Sequence, residues 1–169
     1  MFVLDPSYRP VLIFVIVLAL FALFGVVRRR FFVDPVVEFP AHNPLHREAV
    51  AAARQSLDQF WAALRGPLAP ETEFGLKVGL PAGQGTEHVW LMADPQTEAS
   101  RSGRLMSRPQ VLKLREGDRV SFAPDQISDW MIRDATGTRG AYTIQAMLKT
   151  LPPAEARRMA ELQGVALPD

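Results

Sequence analysis

Residues 73–93 read EFGLKVGLPAGQGTEHVWLMA, and the periodicity of this stretch decides the fold. Phe74, Leu76, Val78 and Leu80 alternate with Glu73, Gly75, Lys77 and Gly79, the two-residue period of a half-buried strand. Pro81 to Thr86 holds two glycines and predicts a turn, and Glu87 to Ala93 predicts the partner strand of an antiparallel hairpin. Along that second strand Val89 and Leu91 share one face, while His88, Trp90 and Met92 share the other.

Before the hairpin the period changes. Val50, Ala53, Leu57, Phe60, Trp61 and Leu64 recur at spacings of three and four, which predicts one amphipathic helix. Asn43 suits its N-cap, Pro44 its first position, and Gly66-Pro67 its end. After the hairpin, residues 94–103 are polar and read as a loop, and residues 104–107 as a short strand. The REGD of 115–118 predicts a tight turn into a strand over 119–123, with Val120 and Phe122 pointing inward. A further strand is predicted over 127–133, then a turn at the DATG of 134–137. Ile144, Met147, Leu148 and Leu151 have helical spacing, with strand the alternative for 142–148. Pro152-Pro153 must break that helix, and Pro153 can start another with Ala156, Met159, Ala160 and Leu162 on its inner face and Gly164 as its stop. These elements predict an α+β domain over 44–165, a small antiparallel sheet packed with helices, followed by a tail at 166–169.

The chain has 169 residues, enough for one compact domain plus an anchor. Val11 to Val27 reads VLIFVIVLALFALFGVV, 17 residues without a charge. As a helix this spans ~25 Å at ~1.5 Å per residue, near the lower limit for a bilayer core. A cleaved signal peptide would carry its basic residues before the apolar run, and Ala19 and Ala22 are misspaced for a cleavage site. A buried core helix would show a polar face, and this segment shows none. The expectation is therefore a single transmembrane helix over about 9–27, within an anchor of residues 1–30, joined by a linker at 31–43. Arg28, Arg29 and Arg30 follow the segment and Arg9 precedes it, so the N-terminus is expected outside and the domain in the cytoplasm, at a bacterial inner membrane.

Charge and composition exclude several functions. The formal net charge is +1, but without Arg9, Arg28, Arg29, Arg30 and Asp5 the rest carries 15 basic and 17 acidic residues. Such a domain has no electrostatic footprint for nucleic acid. There is no cysteine, which removes disulfides, thiolate metal sites and cysteine nucleophiles. His42 and His46 are four apart, but His42 precedes the predicted N-cap and no acidic cluster accompanies them, so no metal is expected. The glycines of 79–85 lack the lysine and hydroxyl end of a phosphate loop, and no cofactor is expected.

The chemistry-bearing candidates are Glu87, His88, Trp90, Asp129, Trp130, Arg139 and Tyr142. His88 suits a general base because its ordinary pKa lies near neutrality. Glu87, its neighbour, points to the opposite face, so Asp129 is the candidate to orient it. The alternative is packing of His88 beside Trp90. Trp90 and Trp130 form either an aromatic platform for a ligand or part of the core. Asp129 alternatively caps the turn before its strand. Arg139 and Tyr142 flank Gly140, where close backbone approach is easy, and either complete a polar pocket or end a helix.

The EHVWL of 87–91, GDRVSF of 117–122, ISDWM of 127–131 and GAYTI of 140–144, in that order, resemble the YegJ-type family of bacterial domains of unknown function. The resemblance covers about residues 44–165, and the membrane segment lies outside it. It implies a small α+β fold in a bacterium and no particular activity, and it marks EHVWL and ISDWM as positions of a common surface. The resulting expectation is a membrane-tethered, non-catalytic binding or regulatory module. Its partners would be the lipid bilayer, through residues 9–27, and an unknown protein or small ligand. A hydrolase using His88 with Asp129, and an immunity-like inhibitor of a membrane-proximal protein, are the alternatives.

Overall fold

A computed structural model describes residues 43–67 and 72–167. The expected anchor and transmembrane helix lie outside the described residues. No helix among the described residues is long and apolar enough to cross a membrane.

The predicted hairpin forms strands β1 (Glu73–Ala82) and β2 (Gly85–Met92). Ala82 pairs with Gly85, so the turn is only Gly83 and Gln84, tighter than the composition of 81–86 suggests. Gly83 sits at φ 59°, the left-handed conformation such a short loop asks of its first residue. Further strands β3 (Ser102–Leu105), β4 (Arg119–Ser121), β5 (Ile127–Asp134) and β6 (Gly137–Gly140) complete a six-stranded sheet. Its order is β4-β3-β2-β1-β5-β6, and every pairing is antiparallel. The fold is α+β, as expected. Between β1 and β5 the register slips: Lys77 faces Asp129 but Val78 faces Ile127, leaving Ser128 as the extra residue of a bulge.

The helix expected over 44–64 is two helices, α1 (Pro44–Gln55) and α2 (Leu57–Arg65). Asn43 caps α1 through its side chain, which accepts from the Leu45 amide at 2.9 Å. The break at Ser56 has a local and a tertiary cause. The Ser56 hydroxyl bonds back to the Ala52 and Ala53 carbonyls at 2.8 and 3.2 Å. The Trp130 indole N–H then donates to that same Ala53 carbonyl at 3.0 Å. Ala53, Phe60, Trp61 and Leu64 are buried against Phe74, Leu76, Val78, Leu91 and Ile132 in one apolar core. Burial of a side chain as complete as Phe60 contributes ~2–3 kcal/mol.

The polar stretch after β2 is not simply a loop. A one-turn helix, α3 (Thr97–Ser100), is set by Asp94 and Thr97: the Asp94 amide donates to Thr97 Oγ1 at 2.8 Å, and the Gln96 amide to Asp94 Oδ1 at 2.9 Å. Residues 142–148 are helical, as α4 (Tyr142–Leu148), and the last helix is α5 (Pro153–Gln163). Gly164 closes α5 at φ 59°, as expected, and the Val165 amide reaches the Ala160 carbonyl at 3.0 Å. The inner face of α5 differs from expectation. It carries Ala156, Ala160 and Gln163, while Leu162 is 49% exposed. The Gln163 carbonyl accepts from Arg133 Nη2 at 2.8 Å, which turns that end of the helix toward β5.

Strand β6 pairs only with Met131–Asp134, so among the described residues the first half of β5 has no strand on its outer side. Helix α1 packs there, against both β5 and α4. Arg54 Nε donates to the Ile127 carbonyl at 2.9 Å, and the Ala141 amide to the Trp130 carbonyl at 2.7 Å, so these outward carbonyls are satisfied.

Candidate functional site

An open concavity of about 630 Å³ lies between α1 and the β1–β2 hairpin. His46, Val50 and Arg54, with Arg47 and Ala51 beside them, form one wall because spacings of four stack side chains along a helix face. Gly79 and His88 contribute from the hairpin, Ser128 from the adjacent β5 and Asp125 from the segment before it. Gly79 pairs with His88 across the hairpin. A Cβ at Gly79 would stand 2.9 Å from Thr86 Cγ2 and 3.1 Å from His88 Cε1, so the imidazole lies where a side chain would otherwise be. The β5 bulge turns Ser128 to this side, and its hydroxyl meets His88 Nδ1 at 2.9 Å and the Lys77 carbonyl at 3.3 Å.

The concavity is electropositive. Desolvation lowers the His88 pKa first, then the charges of Lys77, His46 and Arg54, bringing it to about 4 even though His88 is one of the exposed residues of β2. His46, whose ring meets His88 edge-on at 6.2 Å between centroids, is lowered by desolvation and then by Lys77. The His88 imidazole is therefore neutral near neutral pH. Arg54 is fixed in place by its bond to Ile127 and by a second, Nη2 to the Asp125 carbonyl at 2.6 Å.

Of the seven residues singled out in the sequence, only His88 lines this concavity. Asp129 shares a sheet face with it, since they pair with Lys77 and Gly79 of β1, but has other partners. Asp129 Oδ1 accepts from the Trp130 and Tyr142 amides at 2.8 and 3.1 Å, and Oδ2 from the Thr143 amide and hydroxyl at 2.7 and 2.6 Å. It caps the first turn of α4 from a distant strand. Burial pushes its carboxyl above the ordinary range, and the bonds from Thr143 and the Lys77 charge hold it part of the way back. The structure does not bring His88 and Asp129 together as a base and its orienting carboxylate.

The two tryptophans lie on opposite faces of the sheet, because Trp90 pairs with Lys77 and Trp130 with the adjacent Leu76. Both are buried. Trp90 carries the Lys77 ammonium 5.6 Å from its ring centroid, and Trp130 packs edge-on to Tyr142 at 5.8 Å. Arg139 is exposed and forms an ion pair with Asp134 at 3.8 Å. Glu87 gathers the amides of Gln110, Val111 and Leu112, the last two at 3.1 and 2.9 Å, and so pins the segment that follows β3. Among the described residues no group of three potential metal ligands occurs.

His46, Arg47, Arg54 and Ser128 belong to the site and were not singled out in the sequence. The signal that marks the three helical residues is the stripe His46-Val50-Arg54, flanked by Arg47 and Ala51, a second face of α1 beside the buried Ala49 and Ala53, while Ser128 lies within the ISDWM stretch.

Fold and site together define a small α+β domain with an open basic concavity beside a capped, buried aspartate. Residues 43–167 match the model of the family described as an uncharacterized protein conserved in bacteria (DUF2314), and the chain belongs to that family. It is similar to "Uncharacterized protein YegJ" of Escherichia coli (strain K12), with 27% identity over 110 residues, 64% of this chain and 71% of the relative. No solved structure matches.

Proposed function

We propose that this chain is a membrane-tethered binding module without catalysis of its own, whose binding surface is the concavity between α1 and the hairpin. The observation that carries the reading is the contrast between two sets of polar groups. Asp129, the carboxylate a hydrolytic mechanism would need, is fully buried and holds four donors. The groups around His88 instead line an open space with apolar patches at Val50, Ala51 and Pro81, the mixture that small-ligand and peptide sites share.

A chemical-shift screen with uncharged fragments tests this. Shifts concentrated on Ala51, Gly79, Thr86 and Gln126 are expected, and Ala51→Trp, a substitution at an exposed helix position, should fill the space and abolish them. Shifts centred elsewhere, or surviving Ala51→Trp, reject the concavity as the binding surface.

The tether rests on the uncharged segment 11–27 and the arginines that follow it. Attachment raises the domain's effective concentration near a membrane partner. The full-length chain should pellet with the inner membrane, resist extraction by salt and dissolve in detergent. Protease added outside intact spheroplasts should leave the domain uncut. Release by salt refutes the anchor, and digestion from outside refutes the orientation.

A further inference from the structure

We propose that the concavity is an anion site, taking a phosphate or carboxylate group between the guanidiniums of Arg47 and Arg54 and the His88 imidazole. This rests on the concavity being the binding surface. Three observations carry it.

First, charge in the site is unbalanced. Arg47 and Arg54 line it against one carboxylate, Asp125, and neither arginine forms an ion pair among the described residues. Arg54 meets Asp125 only through the backbone carbonyl. Two guanidiniums lining one opening supply cationic N–H donors of the kind that pair with carboxylates and phosphates.

Second, the site is preorganised. Both Arg54 bonds go to carbonyls of the segment leading into β5, so the guanidinium is held before any ligand arrives, while Nη1 makes no hydrogen bond among the described residues. His88 is held through Nδ1 by Ser128, whose hydroxyl also reaches the Lys77 carbonyl, which leaves Nε2 to donate to an anion once the ring is protonated.

Third, the first turn of α1 contains no acidic residue, although that end of a helix favours negative charge. The basic Arg47 follows directly, and an anion beside it would complement both. The same field argues against a metal ion. His46 and His88 are near enough to suggest two imidazole ligands, but Lys77, Arg54 and Arg47 would repel a cation.

Binding must then be linked to protons. The groups facing His88 are His46 and Arg54 of α1, Lys77 of β1, Ser128 of β5 and Asp125 before it. A bound anion offsets the cations among these and raises the imidazole pKa. Affinity should therefore rise as pH falls through the raised, ligand-bound value, with uptake of a proton.

The test uses the full-length chain and follows the histidine ring proton resonances. In uncharged detergent it is titrated with inorganic phosphate and with succinate. In a parallel arm it is placed in nanodiscs, either of neutral lipid or containing anionic phospholipid, without added anion. A saturable His88 shift is expected, with its titration midpoint raised by about one pH unit or more. Arg47→Gln should weaken binding about tenfold. His88→Gln should remove the rise in affinity on acidification. A response to phosphate or succinate identifies a soluble anion, and a response confined to anionic lipid identifies a headgroup. Both outcomes support the site. If uncharged fragments still act at Ala51 while no anion in either arm moves His88, the anion site is refuted and the binding surface stands. If neither acts, both fall.

Discussion

Asp129→Ala should destabilise the domain by about 4 kcal/mol, a large part of the stability of a typical small domain. The reason lies in the partners left behind. The amides of Trp130, Tyr142 and Thr143 and the Thr143 hydroxyl would lose their acceptor at a site closed to water. The Lys77 ammonium, 3.5 Å from Thr143 Oγ1, would lose the carboxylate behind that hydroxyl. Asp129→Asn should cost less, about 2 kcal/mol, because its oxygen keeps some donors while its amide faces others. Urea denaturation of both variants measures the difference. A normally stable Asp129→Ala protein would show that the start of α4 does not depend on this cap.

Gly140→Ala is the second large effect expected, about 3 kcal/mol. Gly140 has φ 76°, where an L side chain is strained. A Cβ there would also stand 2.4 Å from the Trp130 carbonyl oxygen and 2.6 Å from Trp130 Cε3. Neither atom yields easily: one is backbone, and the other belongs to a ring wedged against Phe60 and Tyr142. Thermal unfolding and near-ultraviolet circular dichroism of the tryptophan should move together. Gly83→Ala, where φ is also positive but a Cβ meets nothing within 4 Å, is the control and should cost about 1 kcal/mol. Equal losses at the two positions would remove the close-contact part of the explanation.

The hairpin was legible because alternation in 73–80 is a local property, and the register of β1 and β2 follows from it. The break at Ser56 was not legible, since part of its cause is the indole N–H of Trp130, 77 residues away from the Ala53 carbonyl it reaches. Helix α3 was hidden by composition, because the Asp94 and Thr97 side chains that start it are the residues expected of a loop. Leu162 looked like an inner residue because it is apolar. The turn of α5 instead points Gln163 inward, where its carbonyl meets Arg133 and Thr138.

For the site, the sequence marked the right strands and not the right cluster. Asp129 reads in the sequence as a cap for the turn before its own strand, whereas it caps a helix that begins 13 residues later, and only tertiary folding brings the two together. Gly140 stood out correctly as a point of close backbone approach. In the sequence His46 is paired only with His42, a poor metal motif, and no motif includes Arg54. Their meeting with His88 depends on where α1 crosses β5, which no spacing along the chain reveals.

Helix α1 also affects how the molecule behaves in a crowd. A sheet flank with free peptide groups invites a neighbouring chain to add a strand, the first step toward fibres and precipitates. Here Arg54 covers the Ile127 oxygen, Ala141 covers that of Trp130, and β6 ladders with the remainder of β5. The side chain that lines the concavity thus also covers this flank of the sheet, and a change at position 54 would alter the lining and the solubility together.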